Sequence, residues 1–207
     1  TPLTRGMAFD GQPRLSPDGK KVVFVSDRDG GWNVWTMSLD KRDTVQITRG
    51  KTNDYQSPEW TPDGKYIVVA RGTKLWMFHV EGGQGQQLIR PAAAAAPAAG
   101  RGGGGADVTR EMGAAFGPDP RYMWFEQRRG SWIYNTPMSD YDIAVYDRES
   151  GEVSVRENRW GSAFRPTLSP DGHWLVYGTR YIDKTYLRIR DLRSGNERWL
   201  TGPVQRD

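Results

Sequence analysis

The amino-acid sequence predicts an all-β protein, a β-propeller of four-stranded antiparallel blades, from three observations. A four-residue turn recurs, its copies are regularly spaced, and no segment has helical periodicity. The copies of the turn are Ser16–Gly19, Thr61–Gly64, Gly117–Pro120 and Ser169–Gly172. Their central aspartates, Asp18, Asp63, Asp119 and Asp171, lie 45, 56 and 52 residues apart. A repeat of roughly 40–45 residues is typical of a propeller blade, so four blades are expected.

The residues of the turn have separate physical roles. Proline sets φ at the second position, aspartate bonds the nearby backbone, and glycine tolerates positive φ. Turn formation therefore accounts for all four aspartates as structural residues. In the third copy Pro120 replaces the glycine, which puts the positive-φ geometry of that turn in doubt.

Each predicted blade contains four strands, a to d, separated by turn residues. In the first blade the predicted strands are Gln12–Leu15, Lys21–Ser26, Asn33–Met37 and Val45–Thr48. In the second they are Ser57–Trp60, Tyr66–Ala70, Leu75–Phe78 and Gln86–Ile89. In the third they are Gly113–Phe116, Tyr122–Gln127, Asp142–Tyr146 and Val153–Arg156. In the fourth they are Arg165–Leu168, Trp174–Thr179, Leu187–Arg190 and Glu197–Leu200.

The whole chain, 1–207, is expected to be propeller. The blades are predicted at approximately 7–50, 51–90, 107–157 and 158–202. Residues 1–6 are interpreted as strand d of a preceding blade, because Pro2–Gly6 resembles the strand end Gln46–Gly50. Two architectures remain open, an arc of a larger ring of six to eight blades or a four-bladed ring with a spare N-terminal strand. We favour the arc, since propellers are stable by leaving only short, protected edges.

Two insertions fall on one face of the predicted propeller. Residues 91–106 are rich in alanine and glycine and are expected to be a flexible insertion. The second insertion is the long loop Arg128–Tyr141 in the third blade. The b–c and d–a loops of a propeller emerge on the same face, so this rim is where we expect a partner to bind.

Composition excludes several classes of function. The chain has 207 residues, no cysteine and a net charge of +4, with acidic and basic residues well mixed. Disulfide and thiolate chemistry is therefore excluded. The sequence has no lysine-rich run of the kind that indicates a nucleic-acid partner. It also has no run of 18 apolar residues, the length expected of a membrane span.

The sequence contains no recognisable catalytic or metal constellation. Its two histidines, His79 and His173, lie in different predicted blades, so a histidine zinc site is not expected. Neither a G-x-S-x-G elbow nor a phosphate-binding P-loop occurs. We expect no catalytic residue, no metal ligand and no cofactor in this chain.

Arginines recur where strand b of each blade ends. They are Arg28, Arg71, Arg128 with Arg129, and Arg180. Such a ring of guanidinium groups would attract anions or carboxylates. The alternative is that each arginine pairs locally with loop acids such as Asp27 or Asp183. Trp132 and Tyr134 in the long loop add aromatic side chains of the kind enriched in binding hot spots.

The repeated turn, followed by a strand such as Val22–Arg28, resembles the PD40 (WD40-like) repeats of TolB-like propellers. The resemblance covers the chain outside 91–106. Two longer segments, Thr4–Gly11 and Gly161–Gly172, resemble the N-terminal propeller of large bacterial secreted proteins in which such a propeller precedes an amidohydrolase domain. In that family metal-bound histidines of the following barrel catalyse hydrolysis, and none of those residues is in this chain.

The resemblance implies a non-catalytic propeller portion of a larger secreted bacterial hydrolase, amidohydrolase-like, that serves scaffolding, substrate gating or protein interaction. Its location would be periplasmic or extracellular. The expected partners are the other domain or blades of the same parent protein, or a protein or peptide. Two alternatives stay open: a stand-alone TolB-type module that binds an envelope protein, and the propeller of a prolyl oligopeptidase-type serine peptidase. Whether the parent protein is an enzyme is left open by this chain.

Overall fold

The computed structural model describes residues 2–52, 54–89, 109–128, 140–159, 161–182 and 184–202. Within these ranges the chain forms sixteen β-strands and no helix. The strands pair into four antiparallel sheets of four, and each sheet consists of strands consecutive in the sequence. The prediction of an all-β propeller with four-stranded antiparallel blades is confirmed.

The strands are numbered in chain order. The first blade contains β1 (Asp10–Leu15), β2 (Lys21–Ser26), β3 (Asn33–Ser38) and β4 (Thr44–Gln46). The second contains β5 (Tyr55–Trp60), β6 (Tyr66–Arg71), β7 (Lys74–His79) and β8 (Gln86–Gln87). The third contains β9 (Arg110–Phe116), β10 (Tyr122–Arg128), β11 (Tyr141–Asp147) and β12 (Val153–Glu157). The fourth contains β13 (Phe164–Leu168), β14 (Trp174–Tyr181), β15 (Lys184–Asp191) and β16 (Glu197–Thr201).

The predicted and observed strands differ at their ends. The first strands of the blades begin one to three residues earlier than predicted, and the d strands of the first two blades are shorter. In the first blade, the amides of Ile47 and Thr48 both donate to the carbonyl of Val34, at 2.9 and 3.4 Å. This shared acceptor interrupts the regular ladder, so β4 ends at Gln46.

The N-terminal segment is not a strand in this structure. Pro2–Gly6 pairs with none of the described strands, and the Pro2 carbonyl instead accepts a hydrogen bond from Arg42 Nη1 at 2.8 Å. The blade in which it would form strand d is not among those observed, so that assignment stays a prediction. The predicted insertion at 91–106 lies outside the described residues.

The first strand of every blade carries a bulge at an equivalent position. The register of each a–b pair slips there, and the residue at the bulge has positive φ in each blade. These residues are Gln12, Ser57, Gly113 and Arg165, with φ between 52° and 63°. Three of them are not glycine and precede proline, a combination that disfavours this conformation. The surrounding blades must therefore impose it.

Side-chain hydrogen bonds close the repeated turn. In the first copy the Ser16 hydroxyl donates to Asp18 Oδ1 at 2.6 Å and accepts from the Lys21 amide at 2.9 Å. Gly19 has φ of 69°, the region that glycine adopts without strain. In the third copy the hydroxyl is missing because Gly117 replaces serine, although Asp119 Oδ1 still accepts from the Arg121 amide at 2.9 Å.

The hydrophobic core lies between the blades. One cluster joins the first and second blades and includes Val23, Ile47 and Trp60. A second joins blades two and three around Leu75 and Phe125. A third cluster lies between blades three and four and consists of Ile143, Ala163, Leu175 and Tyr177. Because burial occurs at each junction, a blade depends on its neighbours for stability.

The propeller is open at its two ends. Each blade packs on the next one, whereas no described strand of the fourth blade contacts one of the first. Tyr177 faces the third blade, so side-chain alternation places Leu187, which pairs with Gly178, on the opposite face. Leu187 and Leu200 are 39% and 45% exposed. The outer side of the fourth blade therefore leaves apolar surface uncovered.

Candidate functional site: the b–c rim and the central cleft

The recurring arginines lie at the ends of the second strands, as the repeat indicates. Arg71 and Arg128 are the last residues of β6 and β10, Arg180 lies near the end of β14, and Arg28 follows β2. We call these four residues the b–c rim. Arg129, Trp132 and Tyr134, also expected at this rim, lie outside the described residues.

Arg28 is held by its own blade. Its guanidinium forms an ion pair with Asp10 at 2.7 Å and lies 5.0 and 5.1 Å from the ring centres of Phe24 and Trp35. Its Nε also donates to Ser26 Oγ at 2.9 Å. Local pairing thus applies to Arg28, but the partner is Asp10 on the first strand and not the loop residue Asp27.

Arg71 is stacked on aromatic rings. Its guanidinium lies 4.8 Å from the centre of the Trp76 ring and 5.8 Å from that of Tyr55. No carboxylate within the described ranges pairs with it. Cation–π contact of this kind fixes the direction of a guanidinium and leaves its N–H groups available to a ligand.

Arg180 and Arg128 complete the rim. The Arg180 guanidinium lies 5.2 Å from the Phe164 ring centre, and its amide donates to the Gly161 carbonyl at 2.7 Å. Arg128 pairs in register with Arg110 and Tyr141. The structure thus places all four arginines at one end of their strands, with stacking aromatics beneath three of them.

Two cations on the opposite face, Arg121 and His173, pair with acids of a neighbouring turn in the same blade. Arg121 contacts Asp147 at 2.5 Å and Glu149 at 2.9 Å. The hydrogen bond from Arg121 lowers the pKa of Asp147 below its usual range. In the next blade His173 Nε2 lies 3.0 Å from Asp191 Oδ1.

Asp191 illustrates how these turns use a carboxylate. Its Oδ1 accepts the amides of Ser194 and Arg193, at 3.1 and 2.8 Å. The Ser194 amide is the largest cause that lowers the pKa of Asp191, to about 2. These acids stabilise their hairpins by accepting backbone amides.

The first strands of all four blades line a central cleft of about 710 Å³. An ion pair crosses the central cleft and joins the first two blades, with Arg14 Nε 3.1 Å from Glu59 Oε2. Burial raises the pKa of Glu59, even though Arg14 opposes that shift. Trp60, Phe116 and Leu168 contribute apolar surface to the wall.

A second carboxylate lies at the joint of the third and fourth blades. Glu126 on β10 is 5% exposed, and its Oε2 accepts the amide of the bulge residue Arg165 at 2.6 Å. Burial raises the pKa of Glu126. Sequence reasoning missed this residue. The signal was present, since the equivalent slots of the other second strands hold Val25, Ala70 and Gly178.

Three further observations concern chemistry. In the part of the chain that the structure describes, no three acidic, histidine or cysteine side chains come together as a metal site. His79 and His173 lie in the second and fourth blades. Within the same ranges, no helix has the length and apolar character needed to cross a membrane.

Comparison with known proteins supports the fold assignment. No family model matches the chain. The chain is 25% identical over 183 residues to the uncharacterized peptidase YuxL of Bacillus subtilis strain 168. The aligned region covers 88% of this chain and 23% of the relative. The crystal structure of TolB from Acinetobacter baumannii superposes with a TM-score of 0.74 at 20% identity, covering 96% of this chain and 45% of that one.

A peptidase structure also superposes. It is a puromycin-hydrolyzing peptidase of Mycobacterium tuberculosis, with a TM-score of 0.63, 17% identity, and coverage of 93% of this chain and 29% of that one. The chain therefore spans less than half the length of each of these three proteins. Together with the four blades and their repeated turns, these similarities show that the chain has the fold of the TolB-like β-propellers.

Proposed function

We propose that this chain is the non-catalytic propeller portion of a larger secreted bacterial hydrolase, where it serves as scaffold, substrate gate or interaction surface. The observation that carries the proposal is the open arc. The fourth blade exposes Leu187 and Leu200 on its outer side, and no described strand of the fourth blade contacts the first. Further blades of a ring of six to eight would cover that apolar surface.

The b–c rim is the proposed binding face. Three of its arginines are stacked on aromatic rings, whereas Arg121 and His173 on the opposite face are engaged with turn acids. The proposed ligand is a carboxylate-bearing peptide or an adjoining domain of the same polypeptide, which bidentate guanidinium contacts would recognise.

Three contexts are proposed for this propeller, and two of them are larger parent proteins. The resemblance of Thr4–Gly11 and Gly161–Gly172 to secreted proteins supports an amidohydrolase-like parent, and a periplasmic or extracellular location goes with it. The similarity to the uncharacterized peptidase YuxL, which spans 88% of this chain, favours a peptidase parent as the second candidate, for which we propose the prolyl oligopeptidase type. A stand-alone TolB-type module is the third, supported by the superposition on TolB.

The test uses two matched sets of substitutions in the parent polypeptide. Arg28→Ala, Arg71→Ala and Arg180→Ala alter the rim, and Lys41→Ala, Arg148→Ala and Arg193→Ala alter the opposite face. We expect only the rim set to weaken docking of the remaining domains, supplied as a separate chain, and we expect the wild-type affinity to fall with salt. Weakened docking in the second set alone would contradict the proposal. Amide or ester turnover by the isolated 207-residue chain would contradict the non-catalytic role.

A further inference from the structure

A side cleft of about 310 Å³ lies between the first and second blades, away from the central cleft. Its wall consists of residues 46–49 and 81–84 together with Tyr55, Arg71 and Phe78. Both of these blades are present and packed together. The side cleft is therefore complete in this chain, whereas the central cleft belongs to a ring that is open.

The backbone around Arg49 is fixed by a buried amide. Asn33 is fully buried, and its Oδ1 accepts from the Gly50 amide at 2.7 Å and from the Thr48 hydroxyl at 3.1 Å. Its Nδ2 donates to the Gly50 carbonyl at 2.9 Å. Because both neighbours of Arg49 are held, the arginine side chain starts from a rigid position at the edge of the side cleft.

Arg71 is directed into the same cleft by its stacking on Trp76 and Tyr55. Neither Arg49 nor Arg71 pairs with a carboxylate in the described ranges, and the Tyr55 hydroxyl donates to no described acceptor there. Tyr55 itself is 4% exposed, so its ring is fixed by packing. Two arginines and Tyr55 thus line one small cavity.

One acid also lines the side cleft. Glu81 lies at its edge with 86% of its side chain exposed, and its Oε2 is 3.7 Å from His79 Nδ1. Such an exposed carboxylate is largely screened by solvent. Its negative charge lowers the positive potential of the cleft, so replacing Glu81 by a neutral residue should strengthen anion binding.

We propose that the side cleft is an oxyanion-binding site, in which Arg49 and Arg71 bind a carboxylate or phosphate group of a ligand and the Tyr55 hydroxyl donates a further hydrogen bond. The planar guanidinium matches both groups, since it donates two parallel N–H bonds. Stacking of the Arg71 side chain and the fixed backbone on both sides of Arg49 lower the ordering cost of binding. The site shares Arg71 with the b–c rim, whereas Arg49 is not a rim residue and distinguishes the two sites.

Isothermal titration calorimetry of the 207-residue chain tests the site, with sodium phosphate and sodium succinate titrated separately at an ionic strength held constant with potassium chloride. We expect a single site for at least one oxyanion, and the anion that binds more tightly identifies the chemical source. Arg49→Gln and Arg71→Gln should each weaken binding about tenfold or more, the effect of losing a charge-assisted hydrogen bond. Glu81→Gln should tighten it.

Arg198→Gln, an exposed arginine of the fourth blade, is the matched control and should leave binding unchanged. Arg71→Gln could disturb the stacked aromatics, so the thermal midpoint of each variant is measured without anion. If Arg71→Gln is unfolded, the result for Arg49→Gln decides the test. Failure of both anions to bind, or equal affinity in the Arg49→Gln variant, would overturn the proposal. Because Arg49 is not a rim residue, the Arg49→Gln result is separate from the docking test, which uses Arg28→Ala, Arg71→Ala and Arg180→Ala.

Discussion

The Trp60 indole donates its N–H to the carbonyl of Arg14 at 3.1 Å, across the junction of the first two blades. Trp60 is 4% exposed and belongs to the cluster that joins these blades. Its hydrogen bond satisfies a carbonyl of a bulged first strand, so one side chain both fills the junction and sets the relative position of the two blades.

Replacement of Trp60 should separate these two contributions. Trp60→Ala removes the buried ring and should lower the free energy of unfolding by about 3–5 kcal/mol. Trp60→Phe keeps most of the apolar contact and removes the hydrogen bond, with an expected loss of about 1 kcal/mol from that bond. Urea denaturation measures both. Equal stability of Trp60→Phe and wild type would show that the hydrogen bond contributes nothing.

Gly161→Ala should be strongly destabilising. Gly161 has φ of +89°, and a Cβ there would lie inside van der Waals contact with the Arg180 carbonyl oxygen. Gly30→Ala is the matched control, because Gly30 has φ of +82° with no atom within 4 Å of the added Cβ. The control should cost about 1–2 kcal/mol, the price of positive φ alone, and Gly161→Ala more. Equal thermal midpoints of the two variants would contradict the steric argument.

The third turn should be improved by restoring its hydroxyl. Gly117→Ser places an oxygen where Ser16 bonds Asp18 and the Lys21 amide in the first turn, and the nearest atom to the added Cβ is Leu168 Cδ2 at 3.4 Å. We expect a gain of about 0.5–1.5 kcal/mol from the hydrogen bond. Gly117→Ala measures the backbone contribution separately. If both variants have the same chemical denaturation midpoint, the hydroxyl is not used.

The turn carboxylate Asp191 should make stability depend on acidic pH. Its folded-state pKa of about 2 is below the ordinary 3.8, so its stabilising effect is present above pH 3.8 and is lost as the pH falls towards 2. The stability difference between wild type and Asp191→Asn should shrink over that window. A difference that stays constant from pH 5 to pH 2 would contradict the assignment.

Glu126 should make stability depend on pH in the opposite sense to Asp191, with lower stability at higher pH. Burial raises its folded-state pKa above the ordinary 4.5, so ionisation costs stability as the pH rises through that folded value. Glu126→Gln keeps an acceptor for the Arg165 amide and cannot ionise. We expect the variant to gain stability relative to wild type between acidic and neutral pH, measured by thermal midpoints across that range. A parallel pH profile for both proteins would show that Glu126 is not destabilised by burial.

The repeat, and with it the division into blades, can be recognised from the amino-acid sequence. The Ser-Pro-Asp-Gly turns and the alternating strands predict four four-stranded sheets, because turn chemistry and side-chain period are local properties. β2 was predicted to the residue, Lys21–Ser26. The rim arginines were also predictable in position, since strand ends can be counted along the chain.

The contacts of those residues, by contrast, follow from the packing of the folded chain. The pairing of Arg28 with Asp10 depends on the register of β1 against β2, and that register is shifted by the bulge at Gln12. The burial of Glu126 against Arg165 and the meeting of Arg49 with Arg71 in one cleft arise between blades. Distances between blades depend on how whole sheets pack, a non-local property that no single repeat encodes.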